Sequence, residues 1–195
     1  MDRTLLTKVS YLYRVKKGLE IEADFEIDKL TNSIENTITS EVFDTEVTPI
    51  YSKDKRQIIK TEWVFDWHRE FRDSANEIYK LTTINNPTII QGLICFSDKH
   101  DHIFMSLIES AKFNKGKSKL YRGVAGNLVA FSCKVSFEKG YEGVVSFIAK
   151  SRLIDHYHQT LGAKQFGESN RMFIDTKEAL ALVKQYFKNF DNGKF

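Results

Sequence analysis

A chain of 195 residues, 42% hydrophobic and 28% charged, has the length and composition of one globular domain. This excludes a disordered chain, a collagen-like chain and a coiled-coil rod, and no apolar run approaches the ~20 residues of a membrane span. The 29 basic and 26 acidic side chains leave a net charge of +3, a near balance that argues against nucleic acid as a partner. The opening residues lack the apolar stretch of a secretory leader, and Cys95 and Cys133 sit in apolar runs with no metal-binding spacing. Two buried thiols in a cytoplasmic protein are expected.

In chain order, Leu5, Leu6, Val9, Leu12, Tyr13 and Val15 fall at mostly helical spacing and predict a helix ending near Gly18. Residues 29–51 are rich in Thr, Ser and Asn and read as turns and short irregular pieces. Residues 57–65 read as one strand, and Trp63, Trp67 and Phe71 add aromatic bulk that is either core or the wall of an acceptor pocket. Three strand-like runs follow at 78–84, 88–96 and 102–110, joined by tight polar spacers as in an antiparallel meander. His100, Asp101 and His102 form one of these spacers and read as a polar hairpin turn rather than a metal site, for which no ligand set is expected.

From there the punctuation becomes β-loop-α-β-α-β-β-α. Residues 113–119 are a basic loop, and a helix over 124–139 ends at a lysine and a glycine. The apolar run 143–149 predicts a strand covered on both faces. Ser151 can cap a helix carrying Leu153, Ile154, Tyr157 and Leu161, which Gly162 stops. Short strands at 163–166 and 171–174 flank a turn, and Asp175 and Glu178 stand at capping-box spacing before a last helix. The chain divides into an N-terminal region, 1–75, and a core, 76–195. Its expected class is α+β or α/β, with a mixed, mostly antiparallel sheet and helices on both faces.

One segment, 107–128, carries chemistry. A strand runs into a basic loop with Lys115, Lys117 and Lys119, and Gly123, Ala125 and Gly126 open a helix beside Arg122. Backbone N–H groups at a glycine-opened helix start favour an anion, naturally a pyrophosphate, although the same residues also suit a tight turn without a ligand. No P-loop pattern and no complete dinucleotide fingerprint occur.

Leu120, Tyr121, Arg122, Gly123, Val124 and Ala125 resemble the pyrophosphate motif Q/R-x-x-G-x-G/A of the GNAT N-acetyltransferases, with Leu120 at the Gln/Arg position. Tyr157 to Ala163 is similar to that family's late run of aromatic-Tyr-x-x-Leu-Gly-Phe. The resemblance covers 78–174, about half of the chain. It implies a GNAT-like acetyl-CoA-binding core, with the CoA thioester lying between the parallel strands 102–110 and 143–149. Backbone groups of Ile108, Glu109 and Ser110 would hold the pantetheine arm. Amides of Arg122, Gly123, Val124, Ala125, Gly126 and Asn127 would hold the pyrophosphate. Glu109 would be the base that deprotonates an unknown amine acceptor. The acid for the departing thiolate would be Tyr157 or, by strict counting back from Leu161 and Gly162, His158. Acetyl transfer to an amine is the expected activity. A catalytically silent GNAT-like module that binds CoA or a partner stays open beside it, as does a homodimer; no membrane partner is expected.

Overall fold

The computed structural model describes residues 22–190. The helix expected over residues 5–18 lies outside them. After an extended stretch, β1 (Ile34–Asn36) pairs antiparallel with β2 (Val42–Phe43). β3 (Thr45–Pro49) then joins the main sheet at its edge.

The strand expected over 57–65 does not form. The chain makes a 3-10 turn, Asp54–Gln57, then loops, and closes with the single helical turn α1 (Trp67–Glu70), whose N-cap Asp66 accepts from the Arg69 amide. The aromatic alternation here serves burial rather than pairing: Trp63 and Trp67 pack edge-to-face on each other, in one buried cluster with Leu93, Cys95 and Leu107. A buried ion pair, Lys80 Nζ to Asp54 Oδ1 at 2.7 Å, ties the wrap to the sheet.

The meander forms as expected: β4 (Asn76–Thr83), β5 (Gly92–Asp98) and β6 (Ile103–Ser110) pair antiparallel in sequence. His100, at φ 66°, takes the left-handed position of the β5–β6 turn. β7 (Tyr121–Arg122) pairs with β1 rather than with the main sheet, and leads into α2 (Val124–Glu138). β8 (Val145–Ile148), α3 (Ile154–Leu161), β9 (Lys164–Gln165), β10 (Arg171–Ile174) and α4 (Thr176–Tyr186) complete the order. Asp175 caps α4 by accepting from the Lys177 amide.

Among the described residues the main sheet has seven strands in the order β3-β4-β5-β6-β8-β10-β9, and of its strand pairs β6–β8 alone is parallel. It is mixed and mostly antiparallel, as the sequence suggests. Its two faces are covered unequally. The larger core joins the sheet to α2, α3 and α4 around Phe96, Met105, Leu128, Phe147, Tyr157 and Val183, while the 54–71 wrap covers the other face. Among the described residues, no helix is long and apolar enough to cross a membrane.

Helix α2 lies directly on the sheet because Gly92 has no side chain. A Cβ there would stand 2.7 Å from Val124 Cγ1 and 3.0 Å from Leu128 Cδ1. Gly92→Ala must push the start of α2 off β5, so a loss of about 1–3 kcal/mol is expected, the range for an overpacked core. Urea denaturation checks this: the midpoint should fall with an unchanged slope.

Candidate functional site

Strands β6 and β8 share only two residue pairs, Ile103↔Val145 and Phe104↔Ser146. Beyond them β6 bulges. Its register to β5 shifts so that Cys95 faces Leu107 while Phe96 faces Met105, leaving Ser106 extra; its hydroxyl donates to the Cys95 carbonyl at 3.1 Å. A bulge bends a strand and sharpens its twist. Met105 and Ile108 consequently face the same core although they lie three apart, and Leu107 faces the other. β6 and β8 diverge from this point and leave a wedge between their C-terminal ends.

Gly123 stands at the mouth of the wedge as the N-cap of α2, at φ 85°, a conformation that favours glycine. The first amides of α2, those of Val124, Ala125 and Gly126, have no intrahelical acceptors. Lys115 and Lys119 border the mouth, and a cavity of about 220 Å³ runs inward past Ile108, Glu109, Ser110, Val124 and Ala125.

Tyr157, on α3, packs beside β8 and does not line this cavity. Its ring packs on Phe147 and Phe25, with centroids 5.2 and 5.0 Å away, and is fully buried. Burial pushes its phenol above the ordinary range, so the hydroxyl stays protonated. His158 is exposed, and its Nδ1 lies 3.1 Å from the Ala163 carbonyl oxygen at the end of α3. Of the two expected acids, the fold turns Tyr157 inward.

Glu109 lines the cavity, but four donors already occupy its carboxylate: the Val64 amide at 2.7 Å, the Phe65 amide at 3.3 Å, Trp67 Nε1 at 2.8 Å and Lys115 Nζ at 2.6 Å. It pins the aromatic wrap to the end of β6. Arg122 turns toward Glu35, 3.6 Å away, and its Nε is buried without a partner among the described residues. The Asn127 side chain donates to Thr45 Oγ1 at 2.7 Å, and Gly126 makes room for the Tyr186 hydroxyl. Val124 and Ala125 reach the cavity; Gly126 and Asn127 serve packing with their side-chain positions.

The wedge also holds residues that sequence reasoning missed. Residues 22–31 run through it as an extended strap. The Ala23 amide donates to the Ile148 carbonyl at 2.5 Å, and the Lys150 amide donates to the Ala23 carbonyl at 3.2 Å. β10 occupies the other edge of β8, so Ala23 takes the edge that faces β6. Tyr157 Oη accepts from the Phe25 amide at 3.3 Å and donates to the Phe25 carbonyl at 2.7 Å. The Ile27 amide donates to His156 Nε2 at 2.9 Å. Asp28 Oδ1 accepts from the Gly123 amide at 3.0 Å, and its Oδ2 accepts from Lys119 Nζ at 2.8 Å. Asp24 pairs with Arg152 and with Lys150, whose hydrogen bond holds its carboxyl below the ordinary range. No motif marks these residues in the sequence; only the folded chain gives them partners.

No protein-family model matches the chain, and no curated protein matches it. Among solved structures, mutant forms of the spermidine/spermine N-acetyltransferase SpeG from Vibrio cholerae align with a TM-score of 0.50 at 14% identity, over 71% of this chain and 97% of that one. The fold is that of the GNAT acetyltransferases. The Vibrio cholerae spermidine N-acetyltransferase in complex with CoA and spermine aligns at a TM-score of 0.48 and 14% identity, over 70% of this chain and 98% of that one. AtaTR bound with acetyl-CoA gives 0.48 and 15%, over 71% and 98%.

Glu109→Gln exchanges an acceptor oxygen for an NH2 group facing donors, and removes the charge that Lys115 meets. A buried donor left unsatisfied costs about 1–3 kcal/mol. The variant should lose about that much stability, and its tryptophan emission should shift to the red as Trp67 loosens. A fully native emission spectrum would show that Glu109 does not hold the wrap.

Proposed function

We propose that this chain is an acyl-CoA-dependent N-acyltransferase, with acetyl-CoA as the natural co-substrate and an amine as acceptor. The observation that carries the reading is the divergence of β6 and β8 directly in front of the α2 N-terminus. Beyond Phe104 the edge of β6 that faces the wedge makes no ladder bonds among the described residues, so Ile108, Glu109 and Ser110 can offer backbone partners to the amides of a pantetheine arm. The amides of Gly123, Val124 and Ala125, with Lys119 beside them, suit a pyrophosphate. Arg122, whose buried Nε has no partner among the described residues, lies on the same loop and is a further contact for phosphate.

In the reaction the neutral amine attacks the thioester carbonyl. A C–N bond forms, the C–S bond breaks, the amine loses a proton and the thiolate gains one. Tyr157 is the donor assigned to the departing thiolate: it is protonated and buried, and its hydroxyl reaches the place where the Phe25 backbone now runs. His158 is the weaker candidate because of its exposure. Glu109 acts on the amine only through a rearrangement of its four hydrogen bonds, so its role in this reading is to position the wrap beside the acceptor.

Such an enzyme belongs in the cytoplasm, and the free, buried Cys95 and Cys133, whose thiols burial pushes up to about 12, suit a reducing compartment. The reading requires neither nucleic acid nor a membrane and is compatible with a homodimer. The strap favours a second reading, a catalytically silent module that binds CoA or a partner.

Calorimetric titration with acetyl-CoA, followed by thiol release across a panel of amines, separates these. Saturable binding with turnover supports the enzyme, and Tyr157→Phe should then lower kcat by ~10²–10⁴-fold with a much smaller change in KM. Binding without thiol release supports the silent module. His158→Ala abolishing turnover while Tyr157→Phe retains it would reverse the assignment of the acid.

A further inference from the structure

We propose that residues 22–31 are a built-in competitor of CoA, occupying the positions of its sulfur end and its pyrophosphate at once, so that the co-substrate must displace the strap to bind. This rests on the acyl-CoA reading above and adds a regulated entry to it.

The strap is fastened at the two places the co-substrate needs. At the inner fastening, the Phe25 backbone satisfies both the donor and the acceptor capacity of the Tyr157 hydroxyl, so the phenol has no proton to offer a thiolate while the strap is seated. At the mouth, the Asp28 carboxylate sits on the Gly123 amide and the Lys119 ammonium, an anion held by an N–H group at a helix start and a cation. That is the chemistry of a phosphate oxygen, supplied by the chain itself. Between these points Ala23 extends the β8 edge and Ile27 takes up His156.

The polar fastenings at Asp24 and Asp28 are of a kind that can open. Asp24 with Lys150 and Asp28 with Lys119 are ion pairs in partly exposed positions, whereas Ala23, Phe25 and Ile27 are buried in the core, so opening must also lift these side chains out of it. The cavity left beside it, about 220 Å³, already admits solvent along the β6 edge. A pantetheine arm can begin there, and its phosphates can then exchange with Asp28. In such a two-state system the apparent dissociation constant is the intrinsic one divided by the open fraction.

The test uses the full chain. CoA affinity is measured by calorimetry for the native protein, for Asp28→Ala and for the more conservative Asp28→Asn. Amide exchange over residues 22–31 is followed with and without CoA. Loss of a charge-assisted contact on the closed state should tighten CoA binding by about tenfold or more in Asp28→Ala, and by less in Asp28→Asn. CoA should speed exchange at Phe25 and Ile27 in every variant that binds it. CoA binding with unchanged or weakened affinity in both variants, or with those amides still protected, overturns the strap proposal and leaves the acyl-CoA reading standing. No CoA binding by any of the three proteins overturns both.

Discussion

Two parallel strands that stop pairing after two residues leave backbone groups that must find other partners, and most of this structure follows from that constraint. The bulge at Ser106 turns β6 away from β8, and the wedge this opens would be a cost if nothing filled it. Three features answer that demand. The strap lines the β8 edge with Ala23, the phenol of Tyr157 takes up the Phe25 backbone, and α2 begins at the mouth. A sheet paired along its full length would need none of them and could hold no extended ligand.

The elements around the wedge are fixed by interactions that make it rigid. Gly92 lets α2 approach β5 closely enough to aim its N-terminus. β1 crosses the loop before α2: Thr37 donates its amide to the Leu120 carbonyl at 2.9 Å and its hydroxyl to the Lys119 carbonyl at 2.6 Å, while β7 pairs with β1. Thr31 packs against Gly123, where a Cβ would overlap its hydroxyl oxygen, so glycine there serves the fit of the strap as well as the left-handed turn. On the opposite face Glu109 gathers Val64, Phe65, Trp67 and Lys115 around one carboxylate and so locks the aromatic wrap to β6. The floor of the wedge and the wrap are thereby one unit.

The core of the fold was readable because its residues obey local rules. The three meander strands alternate and are separated by polar turns; α2, α3 and α4 carry apolar faces and end at glycine or begin at Asp175; and Gly123 and Tyr157 stand in patterns with recognisable neighbours. The 57–65 segment misled because its alternating aromatics suit a strand. What overrides pairing is the remote carboxylate of Glu109, which takes the Val64 and Phe65 amides out of any ladder, and the Asp66 cap, which starts a helical turn. The strap was illegible for a similar reason. Asp24 and Asp28 look like solvent-facing acids until Lys150, Arg152, Lys119 and Gly123, which lie ~90–130 positions away in sequence, are folded against them.

The central claim is that the wedge between β6 and β8 is one site for which the strap and CoA compete. A crystal structure of the full chain grown with CoA addresses it most directly. The pyrophosphate should lie on the amides of residues 123–125 and the pantetheine arm along residues 108–110, with residues 22–28 moved out of the wedge. CoA bound elsewhere, or bound in the wedge with Phe25 still on Tyr157 and Asp28 still on Gly123, would contradict it.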